Sequence, residues 1–181
     1  TMLRGVSGNK SFLARFGMDD GLYKRFVKDG EEREFELELP AIFGDDVPGM
    51  PVAMAVHAGT LAMLMEGGAL ATLDAESAEL QKVVNLPDGR YVPHDIAYSD
   101  DGTLYALLGE SVFRLNAANA RWKPVETPGA ASPAAIDVDH DGNVLVLDMG
   151  PDQQVKAFDA DGKLAYTCGR KGGLPVRGAF D

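Results

Sequence analysis

The sequence has a single cysteine, Cys168, and no apolar run near the roughly 20 residues that a membrane-spanning helix needs. One cysteine excludes an internal disulfide framework and a zinc site built on paired cysteines. Basic residues are also scarce, because 17 Lys and Arg stand against 28 Asp and Glu, for a net charge of −11. The chain lacks the basic surface that binds phosphate backbones or anionic bilayers, so we predict no nucleic-acid partner and no membrane insertion.

The 181 residues are 45% hydrophobic, which is too apolar for a disordered chain and sufficient for one globular core. No signal peptide stands at the start, yet Thr1 precedes Met2 and the sequence ends in mid-pattern at Asp181. These ends predict a chain trimmed from a longer protein. They leave the compartment unassigned, with a periplasmic or secreted location favoured.

Three stretches of the sequence resemble one another from a proline onward. Pro51, Pro93 and Pro133 are separated by 42 and 40 residues. Each proline is followed by an alternating strand, a glycine turn and a second strand, and then by two more strand-like segments joined by short polar turns. Gly and Asx residues tolerate the positive φ of tight hairpins. Four short antiparallel strands in about 40 residues are typical of a β-propeller blade, with a β-sandwich as the alternative.

We therefore predict an all-β fold, a single β-propeller segment of about three and a half four-stranded antiparallel blades over 1–181. Complete blades are assigned to 51–92, 93–132 and 133–173, a partial blade to 11–47, and a link to a missing blade to 174–181. In the partial blade, 21–27 is predicted as a third strand and 34–39 as the last, edge strand. The alternating glutamates of that last strand would protect an exposed edge from pairing.

The third repeat carries a more specific likeness. Segments 136–148 (IDVDHDGNVLVLD) and 154–164 (QVKAFDADGKL) resemble the front and back halves of an NHL repeat. The likeness is best over 133–180 and weaker over 93–130. It implies a propeller of about six blades that serves as a rigid binding platform or, less often, as an enzyme scaffold. Because this chain provides only about three and a half blades, the resemblance implies that missing blades or a second chain close the ring.

Candidate site residues gather at one end of the repeated strands. His94 and Asp95 begin the innermost strand of the second repeat, and Arg90 and Tyr91 precede them. The loops after the second strands belong to the same face and carry three acidic residues, Glu66, Glu110 and Asp148. Because such loops converge around a propeller axis, we predict that these seven residues line the channel mouth and bind ligand. A histidine beside carboxylates can act as acid or base near neutral pH.

Two metal patterns are present but are not favoured. The acidic run 137–141 with Asp148 has the spacing of a calcium-binding loop, yet Asp148 belongs to the far end of the second strand. An Asx-stabilised hairpin is expected instead, and calcium is kept as an open alternative to the absence of any cofactor. A zinc triad of the three histidines is not expected, because His57 and His140 are predicted near hairpin turns on the face opposite His94.

Several other residues are assigned to packing. Trp122 and Phe158 are predicted to pack between adjacent blades, and Met63 and Met65 to fill a blade core. Cys168, on an outer strand, is predicted to be a small buried or half-buried filler.

The sequence contains no nucleophile elbow, phosphate-binding loop or dinucleotide motif. We therefore expect a non-catalytic binding platform for a protein partner or for a small-molecule or polysaccharide ligand. The alternative is a metal-dependent propeller enzyme of lactonase or lyase type. Glu66, His94, Glu110 and Asp148 would then supply metal ligands, and missing blades would supply the rest. A structural module of a cell-surface or periplasmic protein is a third hypothesis.

Overall fold

The computed structural model describes residues 2–7, 10–16, 19–20, 22–33, 36–38, 49–87 and 91–172. All regular elements in these ranges are β-strands, which form four antiparallel sheets of four strands and one two-stranded hairpin. The predicted all-β organisation is confirmed. The described part of the chain contains no helix that is long and apolar enough to cross a membrane.

The N-terminal region forms the first four-stranded sheet and the separate hairpin. Its strands are β1 (Met2–Ser7), β2 (Lys10–Phe16), β3 (Tyr23–Lys24), β4 (Val27–Lys28), β5 (Glu31–Glu32) and β6 (Glu36–Glu38). β1, β3 and β6 all pair with β2, whereas β4, among the strands that the structure describes, pairs only with β5.

The predicted strand order of this partial blade is wrong. Positive φ angles of 54° at Asp29 and 78° at Gly30 make a tight turn, so β4 pairs with β5 and leaves the sheet. The chain then returns to β2, where Leu37 lies opposite Leu13. The predicted third strand over 21–27 is therefore reduced to the two residues of β3.

Three complete sheets follow, each with its strands paired in chain order. The first contains β7 (Pro51–His57), β8 (Thr60–Met65), β9 (Ala69–Asp74) and β10 (Leu80–Asn85). The second contains β11 (Pro93–Tyr98), β12 (Leu104–Leu108), β13 (Ser111–Asn116) and β14 (Arg121–Val125). The third contains β15 (Pro133–Val138), β16 (Val144–Asp148), β17 (Gln154–Phe158) and β18 (Leu164–Cys168).

The first strand of each complete sheet carries the same bulge. Its proline pairs with the last residue of the second strand, and the pairing resumes two residues later. The residue skipped by the ladder is exposed in all three sheets: Val52, His94 and Ala134. A bulge redirects a side chain away from the sheet. The bulge that all three sheets share therefore turns the side chain of His94 away from the hydrogen-bonded sheet and into solvent.

Apolar clusters fill the spaces between successive sheets. Leu13 and Phe26 of the N-terminal region pack with Met63 and Met65 of the first complete sheet, and all four are fully buried. Burial of such side chains contributes about 1.5–3 kcal/mol each, so these interfaces supply much of the stability.

Packing between the second and neighbouring sheets agrees with the prediction for the aromatic residues. Trp122 packs against the cluster between the first two sheets, and its Nε1 donates a hydrogen bond of 2.9 Å to the carbonyl of Asn85. Phe158 is buried between the second and third sheets. The prediction for Cys168 is wrong, because its thiol is exposed on a face that no described sheet covers.

Candidate functional site

The site is best described from His94, the exposed residue at the bulge that begins β11. Within the described residues, neither ring nitrogen of His94 has a hydrogen-bond partner, whereas the rings of His57 and His140 are both bonded. An imidazole that is accessible and free at both nitrogens can accept or donate a proton to a bound molecule.

Asp95, next to His94, bridges two sheets. Its Oδ1 accepts a hydrogen bond of 2.9 Å from the N–H of Ile96, and its Oδ2 accepts one of 2.9 Å from the N–H of Ile136 in the third sheet. Both carboxylate oxygens are therefore engaged by backbone groups. The structure gives Asp95 a positioning role, since it fixes the strand start that carries His94.

Tyr91 lies beside the loop that follows β12. Its ring contacts Phe113 edge-on at 5.2 Å between centroids, and the N–H of Gly109 donates to the carbonyl of Val92 at 2.7 Å. These contacts bring Tyr91 to the end of the sheet where Glu110 is exposed. Arg90, also predicted for the channel mouth, lies outside the described residues.

A repeated hydrogen bond fixes the loops at this end of the sheets. In each complete sheet, the N–H just after the second strand donates to the carbonyl just before the proline. The donors are Glu66, Gly109 and Met149, at 2.8, 2.7 and 2.9 Å. Glu66 and Glu110 are both exposed at this end, but they hold different repeat positions. Glu110 is one residue further along its loop.

Asp148, predicted to line the channel mouth, is instead buried, since its side chain is 0% exposed. Oδ1 accepts hydrogen bonds from the N–H groups of Ala131, Ser132 and Gly150 at 3.2, 2.9 and 2.9 Å. Burial would raise the pKa of Asp148, but these bonds and the one from Lys156 outweigh it and hold the pKa at about 2. The residue is structural.

Lys156 completes this buried network, and the sequence analysis missed it. Its ammonium group lies 2.7 Å from Asp148 Oδ2 and 2.8 Å from Asp152 Oδ2, and it also donates to the carbonyl of Gly129. The sequence does contain a signal for its burial, because Lys156 occupies an inward-facing position of β17, opposite Val146. A buried lysine needs acidic partners.

His57 and His140 lie at the opposite end of the sheets, as predicted. His57 Nε2 is 3.1 Å from the carbonyl oxygen of Asp100, and His140 Nδ1 is 2.8 Å from Asp100 Oδ2. The hydrogen bond with Asp100 raises the pKa of His140. In the described ranges, no three His, Cys, Asp or Glu side chains are placed to hold a metal ion. The two histidines therefore form turn contacts between sheets.

The acidic run near residue 140 forms the expected turn. Asp139 Oδ1 accepts hydrogen bonds from the N–H groups of Asp141 and Asn143 at 3.0 and 2.8 Å, and Oδ2 accepts one from Tyr166 at 2.7 Å. These bonds stabilise the hairpin locally. The Asx-stabilised turn predicted here is confirmed.

Clefts also lie elsewhere in the described part of the chain. One of about 1340 Å³ runs between β7 and the N-terminal region, with Arg15 and Glu76 in its walls. Another of about 490 Å³ lies between the first two complete sheets, beside Tyr98. None of the seven predicted channel-mouth residues lines either cleft. The candidate site therefore remains the channel mouth, where His94, Glu66 and Glu110 lie, and not either of these clefts.

Comparison with known proteins gives structural matches only. No protein-family model and no curated protein sequence matches the chain. A selenomethionine-substituted virginiamycin B lyase from Staphylococcus aureus matches 95% of this chain and 51% of its own, with a TM-score of 0.57 and 13% identity. A catalytically inactive histidine-to-alanine variant of that lyase, with quinupristin, matches the same shares at a TM-score of 0.60 and 15% identity. A streptogramin B lyase matches 95% of this chain and 50% of its own, with a TM-score of 0.59 and 18% identity.

These matches show the β-propeller fold, and the chain spans about half the length of the matched structures. They also correct the functional expectation. The matched propellers are lyases, so the expected non-catalytic binding platform is contradicted and the enzyme alternative is favoured. Identities of 13–18% establish the fold alone.

Proposed function

We propose that this chain carries part of the active site of a lyase-type enzyme built on an NHL-like propeller, at the channel mouth around His94. The supporting observation is the exposed imidazole of His94, which the bulge turns out of the ladder and which no described residue engages. Glu66 and Glu110 are exposed at the same end of the sheets. The matched structures are lyases, which supports an enzymatic function for this propeller.

The proposed role of His94 is that of a general base. A lyase breaks a bond by elimination, so a base must take a proton from the carbon next to the bond that breaks. The neutral imidazole of His94 takes that proton, and the C–H electron pair becomes a carbon–carbon double bond. The leaving group departs with the electrons of its own bond and then takes up a proton.

A divalent metal, such as calcium, is not supported by the described residues. Of the four residues predicted as metal ligands, Asp148 is bound to Lys156 and to three backbone N–H groups. The remaining Glu66, His94 and Glu110 do not form a group of three that holds an ion. The proton transfer is assigned here to His94, and metal dependence is left to experiment.

The substrate class is proposed from the matched structures. They are named for virginiamycin B and streptogramin B, and one was solved with quinupristin. Virginiamycin B is accordingly the probe substrate. If the broken bond lies in a ring, elimination leaves the mass of the product unchanged, whereas hydrolysis adds one water.

The experiment follows virginiamycin B by mass spectrometry, with the purified protein incubated with and without a chelator. The proposal predicts a product of unchanged mass that contains a new double bond. A product heavier by one water would overturn the lyase assignment. The chelator arm separately reports metal dependence. Absence of any conversion by the assembled protein would also count against the proposal.

A further inference from the structure

The cleft of about 490 Å³ between the first two complete sheets, called the Tyr98 cleft below, lies at the end of the sheets opposite His94. The turn over 101–103 forms part of its wall. The ring of Tyr98 also lines it and is 5.5 Å from the ring of His57, a residue of that same end. Small-molecule sites in proteins have volumes of this order. The Tyr98 cleft is therefore separate from the channel mouth and large enough for a ligand of its own.

The register directs Lys82 into the space between the two sheets. Lys82 pairs with Thr72 of β9, and Val84 pairs with Leu70 two positions further along. Leu70 and Val84 belong to the apolar cluster between the first and second complete sheets. Because side chains alternate along a strand, Lys82 and Thr72 lie on that same face. Both residues line the Tyr98 cleft.

Lys82 has no acidic partner among the described residues, whereas Lys24, Lys28 and Lys156 are all ion-paired. Its side chain is exposed, so the ammonium group is accessible to a ligand. An ammonium group offers three hydrogen-bond donors and no acceptor. The natural complement of this position is therefore an anionic group.

Two further cationic residues, Arg114 and Lys123, also line the cleft. They pair with each other across β13 and β14, and Arg114 lies opposite Tyr105. Tyr105 packs in the cluster towards the third complete sheet. Lys82 is therefore the cation directed between the first two sheets, and the other two contribute through their charge.

Asp101 is the acidic residue in the described lining of the cleft. Its Oδ1 accepts hydrogen bonds from Ser99 Oγ and from the N–H of Thr103 at 2.6 and 2.9 Å. These bonds lower the pKa of Asp101 to about 2, so the carboxylate is ionised at neutral pH and engaged by its own turn. Three cations against this one anion leave the lining with a net positive charge, in a chain whose net charge is −11. Such a cleft attracts anions.

Tyr98 supplies a hydroxyl group on the wall formed by the second complete sheet. Its ring packs against the apolar cluster between the two sheets, and burial raises the pKa of its phenol. Within the described residues, the hydroxyl has no hydrogen-bond partner. No fully buried side-chain nitrogen or oxygen in this part of the chain lacks a partner, so the Tyr98 hydroxyl is open to solvent. It is therefore protonated at neutral pH and free to donate a hydrogen bond.

We propose that the Tyr98 cleft binds a small organic anion. The anionic head group accepts hydrogen bonds from Lys82 and Tyr98, which are charge-assisted and therefore strong. The apolar body of the ligand lies against three side chains that line the cleft, Val84, Leu104 and Leu115. The proposal does not depend on the activity assigned to His94, and its test has no activity readout.

The test is an NMR titration of the ¹⁵N-labelled protein with phenyl phosphate, which carries an anionic head group on an apolar ring. Saturable shifts are expected at the amide signals of Thr72 and Thr103, which line the cleft. Inorganic phosphate should bind at least about tenfold more weakly, because it lacks the apolar ring. Equal affinity for the two probes would overturn the proposed role of the apolar wall.

Variants then test the two donors. Lys82→Met should weaken the binding of phenyl phosphate at least about tenfold, and Tyr98→Phe about threefold to tenfold. Lys163→Met is the matched control, because Lys163 is also exposed and without an ion pair among the described residues, but lies beside the third complete sheet. It should leave the affinity unchanged. The spectra report whether each variant is folded. Absence of saturable binding to wild type, or equal binding by Lys82→Met and Lys163→Met, overturns the proposal.

Discussion

The carboxylate of Asp148 lies 2.7 Å from the ammonium group of Lys156, and the two side chains are 0% and 5% exposed. Three of the backbone groups that bond to the pair belong to the connector between the second and third complete sheets, at Gly129, Ala131 and Ser132, and a fourth, the N–H of Gly150, follows β16. One buried ion pair therefore fastens this connector to the third sheet. Asp152, which also accepts a hydrogen bond from Lys156, lies nearer the surface, where its Oδ1 is 3.2 Å from Lys171 Nζ.

Replacement of Lys156 by Met should destabilise the protein by about 3 kcal/mol or more, because it leaves the buried Asp148 carboxylate without its cation. Urea denaturation followed by circular dichroism measures the change. The double variant Asp148→Leu with Lys156→Met removes both charges and should recover part of the loss. A single variant as stable as wild type would contradict the account of this pair.

The pKa of Asp148 predicts a loss of stability in acid. Its folded pKa of about 2 lies below the ordinary value of 3.8, so the ionised form stabilises the fold above pH 3.8. That contribution, about 2 kcal/mol from the pKa difference, is lost as the pH falls from 3.8 through 2.

Urea titrations between pH 6 and pH 2 test this dependence. Asp148→Asn cannot ionise, so the variant should be less stable at pH 6 and should lose less stability than wild type towards pH 2. Equal slopes for the two proteins would show that other carboxylates account for the acid response.

The bridge from Asp95 to Ile136 predicts a local effect between the second and third sheets. Asp95→Ala leaves the Ile136 N–H without its acceptor and should cost about 1–2 kcal/mol. Hydrogen exchange at Ile136 should accelerate in the variant. Asp137→Ala is the control, because Asp137 is exposed and, within the described residues, bonds only to the adjacent Val138 N–H. Unchanged protection of Ile136 in Asp95→Ala would contradict the bridging role.

Much of the fold follows from the sequence, because the spacing of Pro51, Pro93 and Pro133 marks the start of equivalent strands. Local alternation and glycine turns then determine the hairpins. The N-terminal sheet was predicted less well, since the pairing of Glu36–Glu38 with β2 is a long-range choice that alternation does not encode. Cys168 was misassigned because its burial depends on whether another sheet covers it.

The site could be predicted only in part. The position of His94 at a strand start follows from the proline before it, and the exposed bulge agrees with that position. The burial of Asp148 did not follow, because its partners lie on β17 and in the connector, far from it in the sequence. Under the proposed function, the absence of a nucleophile motif does not argue against an enzyme, since an elimination needs a base and no nucleophile.

The most direct test of the central claim compares kcat/KM for virginiamycin B between wild type, His94→Ala and His140→Ala. His140 lies at the opposite end of the sheets and serves as the matched histidine control. We predict that His94→Ala lowers kcat/KM by about 10²–10⁴, as expected for loss of a general base, while His140→Ala stays within about twofold. A His94→Ala protein as active as wild type would contradict the account.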